Sequence, residues 1–536
     1  MSGGLDSERM AALLTLVEEA ARSTEEGVKH FVEPAPGTLA RTTNRRMHIV
    51  FGRRGSGKSS LLRKAAADLT VDRRPIAYVN LETFKGHSYP DVLISVLLST
   101  LTEFKKWLDS AAVHPATRTS FWAKLFGSAP NRPSFNRRQT SALSERIGSQ
   151  IQTLETELHS ADDAELHVSG EAEVTASDSV EIEAGAASPV VNAKGSANAS
   201  STQARKTGVQ ESYRRSKVDF LHRHVIDYQH IFDDLRQLSD GDAYLFLDDL
   251  YHIRRGDQAR VIDYFHRLAK DHALWLKVGT IRHRSQWYTH GDPPIGMKIA
   301  DDADEIDLDL TLEKYSLAKD FLTRILTNLA SVANVGRLDT FLTDGALDRL
   351  VLACGGVARD FLSIFRRSVD VARERGGGHR GEKVGVEDVN IAAGEYDSAK
   401  REDFRRDTLD DRNTLEDEFR KLRQFCLDQN NTNCFLLDKD EHGLGVGLIH
   451  ELVDLKLVHL VRSRVTVSGR PGRIYEAYML DLSQYAGARK RRKLRMVEFW
   501  KADSGEALRK TSLIYTPGAG VEQTAPGDGV TAAPEP

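Results

Sequence analysis

The run Gly52-Arg53-Arg54-Gly55-Ser56-Gly57-Lys58-Ser59-Ser60 constrains this chain more than any other stretch, because it satisfies G-x-x-x-x-G-K-[ST] without adjustment. Glycines at 52, 55 and 57 permit positive backbone angles, and their missing side chains let successive N–H groups face a polyphosphate. A helix starting near Lys58 turns its positive dipole end to the same anion. Lys58 then supplies a point charge to the β- and γ-phosphates, and Ser59 offers a hydroxyl to magnesium. Such a loop needs a buried strand before it and a helix after it. Residues 47–51 are an apolar run, and 59–69 carry Leu61, Leu62 and Ala65 at helical spacing. A second strand at 76–79 and an apolar helix at 90–107 continue the pattern into a parallel α/β sheet. ATP with Mg2+ is the ligand this predicts.

A phosphate loop needs a carboxylate opposite it. Residues 243–247 (Ala-Tyr-Leu-Phe-Leu) run into Asp248-Asp249, and a parallel strand brings its carboxyl end to the loop's edge of the sheet. Asp248 then belongs to the magnesium shell, while Asp249 orients and deprotonates the attacking water. Taken alone, two acids after an apolar run read as a turn or helix cap; the loop upstream reverses that reading. The next strand ends at Thr280, which either bridges water and γ-phosphate or is an ordinary β-branched strand end. Arg282 and Arg284 follow. Either can act as an arginine finger on a neighbouring subunit's nucleotide, or both are solvated surface arginines. Further on, Gly355-Gly-Val-Ala-Arg359 opens a helix from which Arg359 can swing over the nucleotide; by itself it is an exposed arginine on an amphipathic helix.

Elsewhere the periodicity predicts a helix over 7–31, a fifth strand at 305–310 and a mostly helical region at 313–396. Between about 110 and 212 lies an insertion: a small apolar knot at 121–126, a polar helix at 138–159, then 162–183 with eight acidic residues and no Lys or Arg. That acidic stretch reads as a hairpin or as a flexible segment, and much of 160–210 reads as disordered, with a linker at 185–206.

Residues 411–485 outline two helices and a two-stranded wing, decorated by Arg462, Arg464, Arg470 and Arg473. A run with six basic residues in seven follows, beginning Arg489, Lys490, Arg491, Arg492. Phosphate contacts to double-stranded DNA are one reading of those arginines. A protein contact is the other, because residues 447–456 (Gly-Leu-Ile-His-Glu-Leu-Val-Asp-Leu-Lys) offer few side chains that read bases. The opposite charges of the acidic stretch and the basic run suggest an autoinhibitory contact. With 74 basic and 78 acidic residues, the whole chain has no global pull toward nucleic acid. Three cysteines without metal spacing, no secretory leader at the start and no long apolar stretch predict a cytoplasmic protein off the membrane.

In their order, the phosphate loop, the strand with its acid pair, the strand tip, the downstream arginines and the Gly-Gly-Val-Ala-Arg corner resemble an AAA+ P-loop ATPase. Among AAA+ proteins the pattern is similar to the origin-recognition, replication-initiator-like type with a C-terminal winged helix, and to bacterial relatives of uncertain role. The resemblance covers about 30–110 and 213–485 and leaves the insertion unmatched. It implies a five-stranded parallel sheet in the order 5-1-4-3-2, a helical lid at 313–400, a homo-oligomer, Thr280 as sensor 1 and Arg359 as sensor 2. That family usually carries Glu where this chain has Asp249, one methylene shorter, which implies slow hydrolysis. The acid pair also resembles STAND-type signalling NTPases, some of which look like phage-defence components, with a protein effector as partner.

Overall fold

The computed structural model describes residues 4–22, 24, 27–111, 135–177, 217–375, 382–407, 412–486, 494–501 and 504–517. They divide into two compact units: a sheet unit, Ser23–Arg53 with Gly57–Leu308, and a helical unit, Met1–Arg22, Arg54–Ser56 and Asp309–Pro536. Chain order opens with α1 (Glu8–Ala20), part of the helical unit. The expected helix over 7–31 is shorter than predicted: Ser7 caps it and Met10, Leu13, Leu14 and Val17 are buried, but Ala21 closes it, and a separate 3-10 turn covers Gly27–His30.

The sheet unit contains α2 (Thr38–Thr43), β1 (His48–Phe51), α3 (Lys58–Val71), β2 (Ile76–Asn80), α4 (Asp91–Ala111), α5 (Arg137–Ser177), α6 (Val225–Ser239), β3 (Ala243–Asp248), α7 (Arg255–Ala269), β4 (Leu274–Thr280), the two-residue strands β5 (Tyr288–Thr289) and β6 (Ile295–Gly296), and β7 (Asp304–Asp307). Five strands pair in parallel in the order β2-β3-β4-β1-β7. The stated order 5-1-4-3-2 needs correction in its numbering. The strand beside β1 is the seventh in the chain, because the β5–β6 hairpin precedes it. Two-residue strands leave no periodic trace in a sequence.

β1 and β3 are buried along their whole length, as strands covered on both faces must be. Alternation then sorts their side chains. Val50, Tyr244 and Phe246 face α3, packing on Leu61, Leu62, Ala65 and Leu69. Ile49, Phe51, Leu245 and Leu247 face the opposite layer with α4, α6 and α7. By the same alternation Asp248 shares a face with Phe246, the α3 side.

The insertion holds the largest departure from expectation. Residues 137–177 form one helix, so the hairpin alternative does not describe 162–177; 178–216 lie outside the described residues, as does the knot at 121–126. The helix is also less detached than its polarity suggested. Leu143, Ile147 and Leu154 enter the same core as α4 and α6, and Arg146 donates to Asp234 at 2.6 Å.

The helical unit continues with α8 (Tyr315–Val332), α9 (Asp344–Cys354), α10 (Ala358–Arg375), α11 (Val386–Asp407), α12 (Arg412–Arg423), β8 (Cys434–Asp438), α13 (Leu444–Asp454), β9 (Val458–Val465) and β10 (Tyr475–Leu480). The last three strands form an antiparallel sheet ordered β8-β10-β9, one strand more than the expected pair. β8 is buried at every position, so it lacks the alternation that announces a strand. Two contacts fasten this sheet region to the start of α10. Lys456 donates to the wholly buried Asp360 at 2.8 Å. The ring of His459, itself held by Asp481 at 2.8 Å, lies so close to Gly355 that a Cβ there would sit 2.1 Å from its Nδ1.

Candidate nucleotide site

In the sheet unit, register carries the loop and the acids to one edge. Phe51 pairs with Thr280 and Leu247 with Val278, so the carboxyl ends of β1, β3 and β4 finish side by side. Gly52 N–H donates to Thr280 O at 3.3 Å and fixes the loop's entry. Gly57 stands at φ 100°, a conformation that a side chain would strain, and hands the chain directly into α3. Lys58 is buried, with its ammonium on Gly52 O at 2.8 Å and Arg53 O at 3.3 Å, so the positive charge sits on the loop's own carbonyls. Ser59 and Ser60 follow in the first turn of α3, half-buried.

Asp248 is 3% exposed. Its Oδ1 accepts from Asp249 N–H at 3.0 Å, and its Oδ2 accepts from the Tyr78 hydroxyl at 2.5 Å. Gly279 on β4 leaves room for it: a Cβ at that position would lie 2.7 Å from Oδ1 and 2.8 Å from Leu62 Cδ1. Burial and the Asp248 charge push the Tyr78 phenol well above its ordinary value, so it remains a donor across the physiological range. Ser59 and Asp248 present hard oxygen donors, which is the chemistry Mg2+ takes.

Asp249 caps a short 3-10 turn in the left-handed region, φ 58°. A ligand oxygen from it, one from Glu82 and a ring nitrogen of His252 lie within 4.8 Å of one another. Thr280 is fully buried and shares a short hydrogen bond with the Ser285 hydroxyl. Arg282 lies over the Phe51 ring at 4.0 Å and bonds Glu305 at 3.1 Å and Asp307 at 3.3 Å on the edge strand β7. Arg284 ends the same turn, half-buried.

Arg54, Gly55 and Ser56 group with the helical unit. There Arg359 N–H donates to Gly55 O at 3.2 Å, and the Arg359 guanidinium donates from Nε to Ala21 O at 3.1 Å. Ser56 is buried. In the C-terminal sheet Arg464 and Arg470 are exposed and Arg462 is half-buried, while Arg473 pairs with Asp438 at 2.6 Å. Arg489, Lys490, Arg491 and Arg492 lie outside the described residues, and so does the suggested contact between basic run and acidic stretch.

Tyr78 and Gly279 escaped the sequence reading. Tyr78 sits 170 residues before its partner, and only the β2–β3 register, Tyr78 opposite Phe246 and Asn80 opposite Asp248, brings its hydroxyl across.

No family model matches the chain, and no curated protein matches it. Among solved structures it is similar to the Walker-type ATPase PABY2304 of Pyrococcus abyssi, at 11% identity over 83% of this chain and 92% of that one, TM-score 0.38. It is also similar to the ORC1 protein of Aeropyrum pernix, solved in complex with DNA, at 14% identity over 89% and 91%, TM-score 0.30. RuvB of Thermotoga maritima overlaps 31% of this chain and 47% of its own length at 15% identity, TM-score 0.20. Likeness at these TM-scores carries no weight for chemistry, so the site stands on its own residues. Among the described residues no helix is long and apolar enough to cross a membrane.

Proposed function

We propose that this chain is a Mg2+-dependent ATPase of the AAA+ type, slow in turnover, which couples its nucleotide state to DNA or a protein partner through a C-terminal winged helix. One observation supports the reading: within the sheet unit the parallel register ends β1, β3 and β4 side by side, with Gly52, Arg53, the Gly57–Ser59 step into α3, the acid pair and Thr280 at that edge. The loop's amides and Lys58 hold the β- and γ-phosphates. Ser59 and Asp248 would hold Mg2+, which neutralises charge on the phosphate oxygens when bound. Asp249 orients a water toward the γ-phosphorus and takes its proton as the bond to the β-phosphate oxygen breaks, giving ADP and phosphate. Thr280 and Arg359 are assigned as sensors, and Arg282 or Arg284 as the finger of a homo-oligomer. The exposed Arg464 and Arg470 favour phosphate contacts to duplex DNA in the wing, with the basic run at 489–492 adding to them.

A second reading, a STAND-like signalling switch that holds nucleotide and relays it to an effector, draws support from the crowding of Asp249 by Glu82 and His252. ATP turnover against protein concentration, with and without duplex DNA, separates the two in wild type, Lys58→Ala and the double Arg282→Ala/Arg284→Ala. Turnover per subunit that rises with concentration and with DNA, and falls in both variants, supports the AAA+ reading. Tight nucleotide binding with negligible turnover and no response to DNA supports the switch. No nucleotide binding at all sinks both.

A further inference from the structure

Asp248 is held from both neighbouring strands. β2 contributes the Tyr78 hydroxyl on Oδ2, and β4 contributes a glycine whose missing side chain leaves space at Oδ1. A carboxylate offers about four lone-pair directions. With one on Oδ2 taken by Tyr78 and one on Oδ1 by Asp249 N–H, rotation of the group is fixed and the remaining directions are set. The 2.5 Å phenol bond is in the range of a charge-assisted O–H···O interaction, stronger than a neutral one. Tyr78 is itself pinned. Its ring stacks on Phe246 at 6.1 Å with planes 21° apart, and the Arg63 guanidinium of α3 lies 4.6 Å over its centre. The donor therefore cannot swing away without unpacking the α3 face of the sheet.

We infer that Tyr78 is a positioning residue for the Mg2+-binding carboxylate: its hydroxyl sets the orientation of Asp248 and thereby the apparent affinity for the metal. The inference rests on the nucleotide-site reading above and deepens it. A packing role alone would be served by phenylalanine, which keeps the stack on Phe246 and the contact with Arg63. The hydroxyl is what packing leaves unexplained. Removing it leaves one oxygen of a buried carboxylate short of a donor, free to turn and less suited to the metal.

The test is binding of a fluorescent ATP analogue to the full chain, titrated with Mg2+ at fixed nucleotide and repeated in EDTA. Tyr78→Phe is expected to raise the Mg2+ half-saturation about 10-fold while Mg2+-free binding stays within about twofold of wild type. Gly279→Ala, which crowds the other oxygen, is expected to move the half-saturation in the same direction. A Tyr78→Phe chain whose Mg2+ half-saturation stays within about twofold of wild type overturns the inference and leaves the site reading intact. A wild type whose nucleotide binding ignores Mg2+ overturns the site reading, and the inference falls with it.

Discussion

Lys277 lies in the middle of β4 with no exposure to solvent. Its ammonium donates to Asn44 O at 2.8 Å and Arg46 O at 2.6 Å, and stands 3.0 Å from His48 Nδ1, so it pins the lead-in to β1. Those acceptors favour the charged form, but burial outweighs them and lowers the lysine from its ordinary 10.5 to about 7. Burial, with the Lys277 charge second, lowers His48 to about 3 and keeps its ring neutral. The gap between 10.5 and about 7 corresponds to about 5 kcal/mol against the buried cation. The sign follows from proton counting. Between those two values the unfolded chain holds a proton that the folded chain has released, so raising the pH stabilises the fold. From pH 7 to pH 9 the gain is about 2 kcal/mol, and below pH 7 the full penalty applies. Replacing Lys277 with methionine removes this dependence. Urea midpoints followed by tryptophan fluorescence at pH 7, 8 and 9 should rise in wild type relative to Lys277→Met. Parallel pH profiles for the two proteins would show that the lysine keeps its proton when buried and would refute the reasoning.

Three further outcomes are expected. Asp249→Glu restores the missing methylene and should raise single-turnover hydrolysis about 10-fold, the scale of a better-placed general base; a slower variant would show that reach is not the limit. Arg282→Ala removes a partly exposed pairing with Glu305 and Asp307, so about 1 kcal/mol of stability is at stake by thermal melting, and a larger loss would mean the edge strand depends on it. Lys456→Met removes the ammonium that pairs with the buried Asp360 carboxylate at 2.8 Å, which should cost about 3 kcal/mol; an unchanged denaturation midpoint would contradict the buried-pair description.

The loop and the acid pair were legible because each is a contiguous string whose residue types are dictated position by position. Their strands were legible for a related reason: all-buried runs such as His48–Phe51 and Ala243–Asp248 stand out between polar segments. What stayed hidden depends on pairing. Tyr78 looks like ordinary strand filler until β2 is laid beside β3, and Gly279 looks like a weak strand residue until Asp248 is next to it. The extent of α1 was overestimated because favourable composition runs on past Ala21, although the face it buries ends at Val17. The acidic stretch alternates like a hairpin, yet 162–177 continue a helix whose earlier turns are anchored in the core by Ile147 and Leu154. Arg282 read as a candidate reaching outward; its pairing with Glu305 and Asp307 on β7 depends on the β1–β7 register and has no trace in the string itself.

Asp360 directly follows Arg359, and the contacts of Lys456 with Asp360 and of His459 with Gly355 bracket the turn from which α10 sets out. Lys456 lies in the turn between α13 and β9, and the buried His459 stands at the start of β9 itself. The joint is stiff. A ligand gripping β9 would therefore pull on the first turn of α10 as a hand pulls on a crowbar, with no slack for the stroke to be lost in. The same two contacts work in reverse: whatever moves the first turn of α10 bears on the start of β9.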